Sequence, residues 1–461
     1  VTGVQTCALP ICYNKSSGRY DGLYNKEVST MKKRMTALLL SACMCAGLAG
    51  CGTNTPGNNP GHTKTDSSVT SLTDNITVTS VKTDITSFDQ LKNGINEFSM
   101  NMYSALPADE NIFYSPYSIA SALSMLDVGA GGTTKNELEN ALGITDLDEW
   151  NDEMKAYLSK DWSQNTFVNT ANSVWMNKGT TWAANINSDF LTPAKDYYSG
   201  EIYEADFDGQ ADKVVQNVNN WVSDNTNKMI PEILKEIPGG TVMMLINAVY
   251  FEGKWDTPFT EDKTFQSSFY GTDKESVVDM MHLYGEHFTY MDNGEIKGIT
   301  LPYDGDNVVM KVFMPTADDG DINELFDKLS NEEKQKLIDS LDDASNVEID
   351  TLQLPKFTDE QSIDGLDDIL KNMGIQSAYS ESADFSKIAD GIAVSSVNHK
   401  AKVIVDENGT KAAAETDIMI KETAMMPSEE TYNFIVDKPF VYVIEDQSTG
   451  MILFMGRVNS L

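Results

Sequence analysis

The spacing of apolar residues changes character part-way along the chain. Up to about residue 234 it follows the helical period; from 242 onward it runs continuously or alternates. Ile119, Ala122, Leu123 and Leu126 mark one face of a helix. Ser115 supplies its N-cap and Pro116 its first residue, where a missing N–H costs nothing. A second helix is expected after the glycines at 129, 131 and 132, with Thr134 and Glu137 spaced as a capping box. Residues 213–234 read as another helix with Val218, Trp221 and Val222 on its apolar side. The nearly unbroken apolar run 242–251 predicts a strand covered on both faces. Strands follow at 308–314, 347–354, 434–444 and 451–458, the last two joined as a hairpin through the turn 446–450. Helices first and antiparallel-type strands later give an α+β fold. No linker or repeat interrupts 88–461, so those residues read as one domain.

The stretch 394–432 behaves differently. A strand with Val403 and Val405 on its apolar side leads to Glu407, and a long run of small residues follows. In extended form, Thr410, Ala412, Ala414, Thr416, Ile418 and Ile420 share one face. Lys411, Ala413, Glu415, Asp417 and Met419 share the other. A loop that only met solvent would need no such period; this segment is built to become a strand.

Charge and cysteine placement narrow the function. Of 461 residues, 34 are Lys or Arg and 70 are Asp or Glu, a formal charge of −36 that argues against nucleic acid and against a basic membrane-binding patch. The five cysteines are Cys7, Cys12, Cys43, Cys45 and Cys51, so the domain from 88 onward has no disulfide, thiolate–zinc site or cysteine nucleophile. Residues 31–50 carry a basic start (Met31, Lys32, Lys33, Arg34), a short apolar run and small residues ahead of Cys51, which reads as a secretory signal. Leu48, Ala49, Gly50 and Cys51 resemble the lipobox of bacterial lipoproteins, which makes Cys51 the lipid attachment site. Residues 1–30 precede Met31 and read as upstream artefact. Residues 51–87, rich in Gly, Asn, Thr and Ser, read as a flexible linker reaching about 30 Å as a random coil. Removing residues 1–50, with six basic and two acidic groups, makes the remainder more acidic by four charges.

Catalytic signatures are missing. There is no Gly-x-Ser-x-Gly elbow, no His-Glu-x-x-His, no phosphate loop and no dinucleotide fingerprint. His282 and His287, five apart, read as incidental rather than as a metal pair. No cofactor or metal is expected.

A resemblance to the serpin family covers essentially all of 88–461. It is carried by Asn111, Ser115, Pro116, Ser118 and Ile119; by Asn219, Trp221, Val222, Thr226, Lys228 and Ile230; and by Ile246, Asn247, Ala248, Phe251, Gly253, Lys254, Trp255 and Phe259. Leu354, Pro355, Lys356 and Phe357 follow, then Ala383 to Ser386, the hinge Glu407, Gly409 and Thr410, and the closing segments around Pro439–Phe440 and Gly456–Arg457. The resemblance implies a serpin-like single domain with a large central mixed β-sheet, two further sheets, about nine helices and an exposed reactive loop. It implies a suicide inhibitor of serine proteases, not an enzyme, whose cleaved loop inserts into the central sheet while still acylated to the protease.

On that resemblance the hinge is Glu407, Gly409, Thr410, Ala412, Ala413, Ala414 and Thr416, with Glu415 a departure from the family's small residues. The reactive bond falls at Thr423–Ala424, with bonds at Met425 or Met426 as alternatives; these side chains suit elastase-, chymotrypsin- or subtilisin-like targets. Ser115, Ser118, Asn247 and His399 are implied as a network beneath the sheet, and Lys356 with Glu407 as an ion pair near Trp255. The implied partner is a target serine protease in a covalent complex, with a monomer expected and membrane contact only through the lipid anchor. The place of action is the cell surface or the extracellular space. A non-inhibitory serpin-fold binding module or chaperone is the first alternative, and a lipoprotein hydrolase or solute-binding protein the second.

Overall fold

The apolar run at 242–251 forms the middle of the molecule. In the computed structural model it is strand β5, buried on both faces except near its end. The structure describes residues 68–82, 85–163, 165–179, 186–305, 307–363, 365–410 and 432–461, all within one unit spanning Thr63–Leu461. In chain order the elements are β1 (Val69–Ser71), α1 (Asp89–Ala105), β2 (Ile112–Tyr114), α2 (Pro116–Asp127), α3 (Gly132–Leu142), α4 (Leu147–Leu158) and β3 (Thr166–Asn177). Next come α5 (Ser188–Tyr198), β4 (Glu201–Ala205), α6 (Ala211–Asn225), β5 (Met243–Lys254), β6 (Phe265–Tyr270), β7 (Glu275–Asp292), β8 (Ile296–Pro302) and β9 (Val308–Pro315). The chain continues through α7 (Ile322–Asp327), α8 (Asn331–Asp339), β10 (Ser345–Pro355), β11 (Phe357–Ser362), α9 (Leu366–Asn372), β12 (Ser396–Asp406) and β13 (Gly409–Thr410). It ends with β14 (Tyr432–Ile435), β15 (Phe440–Asp446) and β16 (Met451–Val458). The fold is α+β, with nine α-helices among the described residues.

The central sheet has seven strands in the order β1-β4-β3-β5-β13-β12-β11, and β5 also pairs directly with β12. It is mixed: β3–β4 and β5–β12 are parallel, the other pairs antiparallel. Met244, Ile246, Ala248 and Tyr250 of β5 face a small core under α6, with Trp175, Val214, Val218 and Val222. Leu245, Val249 and Phe251 face the main core on the other side. The two further sheets expected beside it are hydrogen-bonded through one long strand. β7 pairs with β6 over 275–280, with β10 over 280–290 and with β8 over 289–292, joining nine strands in all.

Several local expectations need correction. The helix expected over 213–234 ends at Asn225. Buried Thr226 turns its hydroxyl back to the Val222 carbonyl and accepts from Ile230 N–H, while Asn227 and Lys228 take positive φ, which an α-helix does not tolerate. Asn219 then accepts from the N–H groups of Ile233 and Leu234 and holds the turn against α6. Thr134 and Glu137 do not cap α3. The N-cap is Gly131, where a Cβ would lie 2.8 Å from the Asp384 carboxylate. Thr134 instead accepts from Asp384 N–H, and Glu137 from the N–H groups of Gln376 and Ser377, so both hold the 376–384 segment. The expected strand 434–444 is two strands separated before Pro439, which has no N–H to donate to a ladder. β14 pairs in parallel with β10, and β15 antiparallel with β9 and β16.

The linker expected over 51–87 is also shortened. Residues 69–71 pair with β4 at the edge of the central sheet, with Val69 buried, and 72–82 continue across the surface. The β-branched residues that made this stretch look like polar linker also suit an edge strand once β4 offers a partner. Cys51 and residues 52–67 lie outside the described residues.

Candidate functional site: the hinge and the slot in the central sheet

β12 carries the alternation read from the sequence, every second residue buried, as far as Asp406. There the chain reverses through Glu407 and Asn408, helped by Asn408 N–H donating to the Asp406 carboxylate at 2.9 Å. It comes back as β13, which lies between β5 and β12 and is antiparallel to both. Gly409 faces Lys254 and Asp406; Thr410 faces Gly253 and Val405. The approach is so close that a Cβ on Gly409 would stand 2.0 Å from the Gly253 carbonyl oxygen. With φ at +145°, only glycine fits. Thr410 is fully buried, its hydroxyl 2.8 Å from Tyr303 Oη. Beyond β13 the slot closes, because β5 and β12 pair directly over 244–250 and 396–402.

The rim of the slot is held by the residues singled out from the sequence. Lys356 Nζ meets the Glu407 carboxylate at 2.7 Å, and Thr264 donates to its other oxygen at 2.8 Å. The hydrogen bond to Glu407 pushes the Lys356 ammonium above its usual range. Burial works against the Glu407 charge, but Lys356 and Thr264 together bring its carboxyl below the usual range. Trp255 clasps the same turn: its indole N–H donates to the Asp406 carbonyl at 3.0 Å and its backbone N–H to the Asn408 carbonyl at 2.9 Å. The indole stacks on Tyr303 with ring centres 4.5 Å apart. Tyr303 thus touches both Trp255 and Thr410.

Lower down, a row of polar side chains crosses the closed part of the sheet. Asn172 of β3, Asn247 of β5 and His399 of β12 stand directly opposite one another in register. The Asn247 amide nitrogen donates to the carbonyl and hydroxyl oxygens of Ser118 (3.1 and 2.7 Å) and to Asn172 Oδ1 (2.6 Å). Its carbonyl accepts from His399 Nδ1 at 2.5 Å, and His399 Nε2 accepts from Ser115 N–H at 3.4 Å. Those roles require a neutral imidazole with the proton on Nδ1. Complete burial enforces that state by lowering the pKa to about 3. Ser115 also caps α2, accepting from Ser118 N–H, and donates to the Leu453 carbonyl at 2.6 Å.

The structure therefore brings Ser115, Ser118, Asn247 and His399 into one network, and Lys356, Glu407 and Trp255 into another. Asn172 and Ser121, which accepts from Asn172 Nδ2 at 2.8 Å, complete the first network and escaped the sequence reading. The signal for Asn172 was available: an amide in a strand whose neighbours from Ala171 to Asn177 are all buried or nearly so. Ala412, Ala413, Ala414, Glu415, Thr416, Thr423, Ala424, Met425 and Met426 lie outside the described residues. His282 sits against the rings of Phe265 and Tyr284, and among the described residues no cluster of three metal-ligating side chains occurs.

Comparison with known proteins agrees over the whole domain. Residues 93–461 match the family described as serpin (serine protease inhibitor). The chain is 32% identical over 388 residues to an uncharacterized serpin-like protein of Thermococcus kodakarensis, covering 81% of this chain and 88% of that one. The crystal structure of tengpin, a thermophilic serpin, in the native state is similar with a TM-score of 0.75 at 29% identity, covering 85% of this chain and all of that one. Human thyroxine-binding globulin, solved with its hormone, gives a TM-score of 0.71 at 27% identity, covering 80% of this chain and 99% of that one. Members of this family are in general protease inhibitors rather than enzymes, acting through covalent complexes with their targets. The chain belongs to the serpin family.

Proposed function

We propose that the chain is a suicide-substrate inhibitor of serine proteases whose loop, once cut, inserts between β5 and β12. One observation carries the reading: β13 already occupies the top of that slot, antiparallel to both neighbours, while the rest of the slot is closed by a parallel pair. A chain continuing from Thr410 along the same line would replace the β5–β12 pairing with two antiparallel ladders and widen the gap by about 4.8 Å. In the uncut protein residues 411–431 are tied at both ends, at Thr410 in the slot and at Tyr432 on β10, so cleavage is needed to free them.

The target's serine attacks the Thr423 carbonyl, the Thr423–Ala424 amide breaks, and the leaving amine takes a proton from the protease's general acid. The acyl ester that remains joins the protease to the C-terminal end of the inserting strand. Insertion then carries the protease away before water hydrolyses the ester. Small residues at Ala412, Ala413, Ala414 and Thr416 favour fast insertion. Glu415 falls on the opposite face of the strand from Thr416. Thr423 suits proteases with shallow or apolar pockets, elastase-, chymotrypsin- or subtilisin-like, and the acidic surface favours encounter with basic ones. Export by the 31–50 signal and lipidation at Cys51 would hold the inhibitor at the cell surface. Similarity to thyroxine-binding globulin, a non-inhibitory serpin, supports a second reading as a binding module.

Incubation with elastase and with subtilisin, followed by a denaturing gel, separates the two. A band at the summed mass is expected. Cleavage without that band would leave a substrate and favour the binding module.

A further inference from the structure

β9 and β15 lie side by side in the nine-stranded sheet, and β9 is apolar along its whole length except for one cation. Lys311 is fully buried, and Glu445 of β15 is 1% exposed. The Lys311 ammonium lies 2.9 Å from each Glu445 carboxylate oxygen and 2.8 Å from Oδ1 of Asp342, just beyond α8. Asp342 is the partly exposed member, and Gln447 Nε2 donates to the same oxygen at 3.2 Å. Thr300 of β8 stands directly opposite Lys311 in register. Its buried hydroxyl has no hydrogen-bond partner among the described residues.

We propose that Lys311 and Asp342 condense to an intramolecular isopeptide bond, with Glu445 as the proton carrier. An ammonium taken wholly out of water is costly to keep charged, and here it touches the carboxyl with which it can form an amide. Burial pushes the Glu445 carboxyl up to about 7, against the pull of Lys311 and with Asp342 and Asp339 adding to the rise. Near neutral pH such a group takes and returns a proton readily. Glu445 first removes a proton from Nζ. The freed lone pair attacks Asp342 Cγ, the C–N bond forms, and one C–O bond breaks. Both protons lost by Nζ leave on the departing oxygen as water, through the exposed side of Asp342. The ammonium and carboxylate charges cancel, and no oxidant or other reactant is consumed. Thr300 is a hydroxyl donor left unused in the ion-paired state, on the face of the sheet that Lys311 shares. Fixed contact between the reacting groups supplies what free amine and carboxylate in water lack, effective concentrations of roughly 10⁵ M or more. The domain from residue 88 onward holds no cysteine, so this amide is a covalent tie that no disulfide supplies there, closing the chain through α7 and α8.

The test digests the denatured full chain with trypsin and reads peptide masses. Condensation blocks cleavage after Lys311 and joins residues 298–328 to residues 337–356, lighter than the two peptides together by one water. Fragment ions should place the bond at Asp342 rather than at Asp339 or Asp343. Asp342→Ala changes a partly exposed side chain and should restore cleavage after Lys311. Glu445→Gln, followed from fresh translation, should form the link about a hundredfold more slowly. Recovery of 298–311 and 337–356 as separate peptides from the wild type would overturn the proposal and leave an ordinary buried ion pair; this reading needs no variant to fold. A bond to Asp339 or Asp343 would overturn the choice of Asp342, and an unchanged rate in Glu445→Gln would remove Glu445 from the reaction.

Discussion

His399→Phe probes whether the polar row really spans the boundary that opens. In the intact protein the substitution leaves two buried groups without partners, the Asn247 carbonyl and Ser115 N–H. At roughly 1–3 kcal/mol for each orphaned group, with part recovered by the ring's packing, the loss is about 3 kcal/mol. For a domain of this size, with an unfolding entropy of about 2.1 cal/mol/K per residue, that lowers the melting temperature by about 4 °C. On the proposed mechanism, cleavage and insertion would place a new strand between β5 and β12 and break the His399–Asn247 bond in the wild type as well. The variant should then cost the cleaved form only about half as much. Melting both forms of both proteins by circular dichroism at one scan rate gives the four values needed. Equal losses in the intact and cleaved forms would refute the reasoning, because the bond would not lie across the opening. The pH dependence supplies an internal check. Burial holds His399 neutral with a folded pKa of about 3, whereas in the unfolded chain it takes a proton near 6.5. Its contribution is complete above pH 6.5 and is lost as pH falls toward 3. The stability gap between wild type and His399→Phe should therefore narrow by about 1.4 kcal/mol per pH unit in that window. Comparing the pair also cancels the opposite slopes of Asp127, Asp359 and Glu445, whose buried carboxyls are pushed up to about 6, 6 and 7.

Lys356→Ala removes the cation from the nearly buried Glu407 carboxylate; with Lys356 about one-third exposed, a loss of roughly 1–2 kcal/mol is expected. Native gels of the warmed variant should show faster polymer formation than wild type, and an unchanged rate would remove the pair from control of the slot. Gly409→Val cannot place its Cβ beside the Gly253 carbonyl, so β13 should leave the slot. Hydrogen exchange at Thr410 should rise and the yield of covalent complex fall; retained protection at Thr410 would contradict the geometry. Thr423→Arg should redirect the inhibitor to trypsin-like proteases, with a covalent band and a new N-terminus at Ala424. Cleavage by trypsin only after Lys421 would move the reactive bond.

What the sequence made legible was the set of residues whose chemistry conflicts with their surroundings. Asn247 interrupts an apolar strand and His399 sits in a strand of alternating burial, so each had to find partners. Those partners are far along the chain: Ser115 and His399 are 284 residues apart, Asn247 and Ser118 129 apart. The motifs could therefore name the members but not the register that sets Asn172, Asn247 and His399 opposite one another. Features without such conflict stayed hidden. The end of α6 is decided by one hydroxyl turning back on its own helix and by two positive φ angles, neither of which interrupts the helical period. β1 was invisible for a related reason. Three residues in a threonine-rich run have no strand signal of their own and become a strand only because β4 presents a free edge and a cavity for Val69. Local pattern fails where a segment's structure belongs to its neighbour.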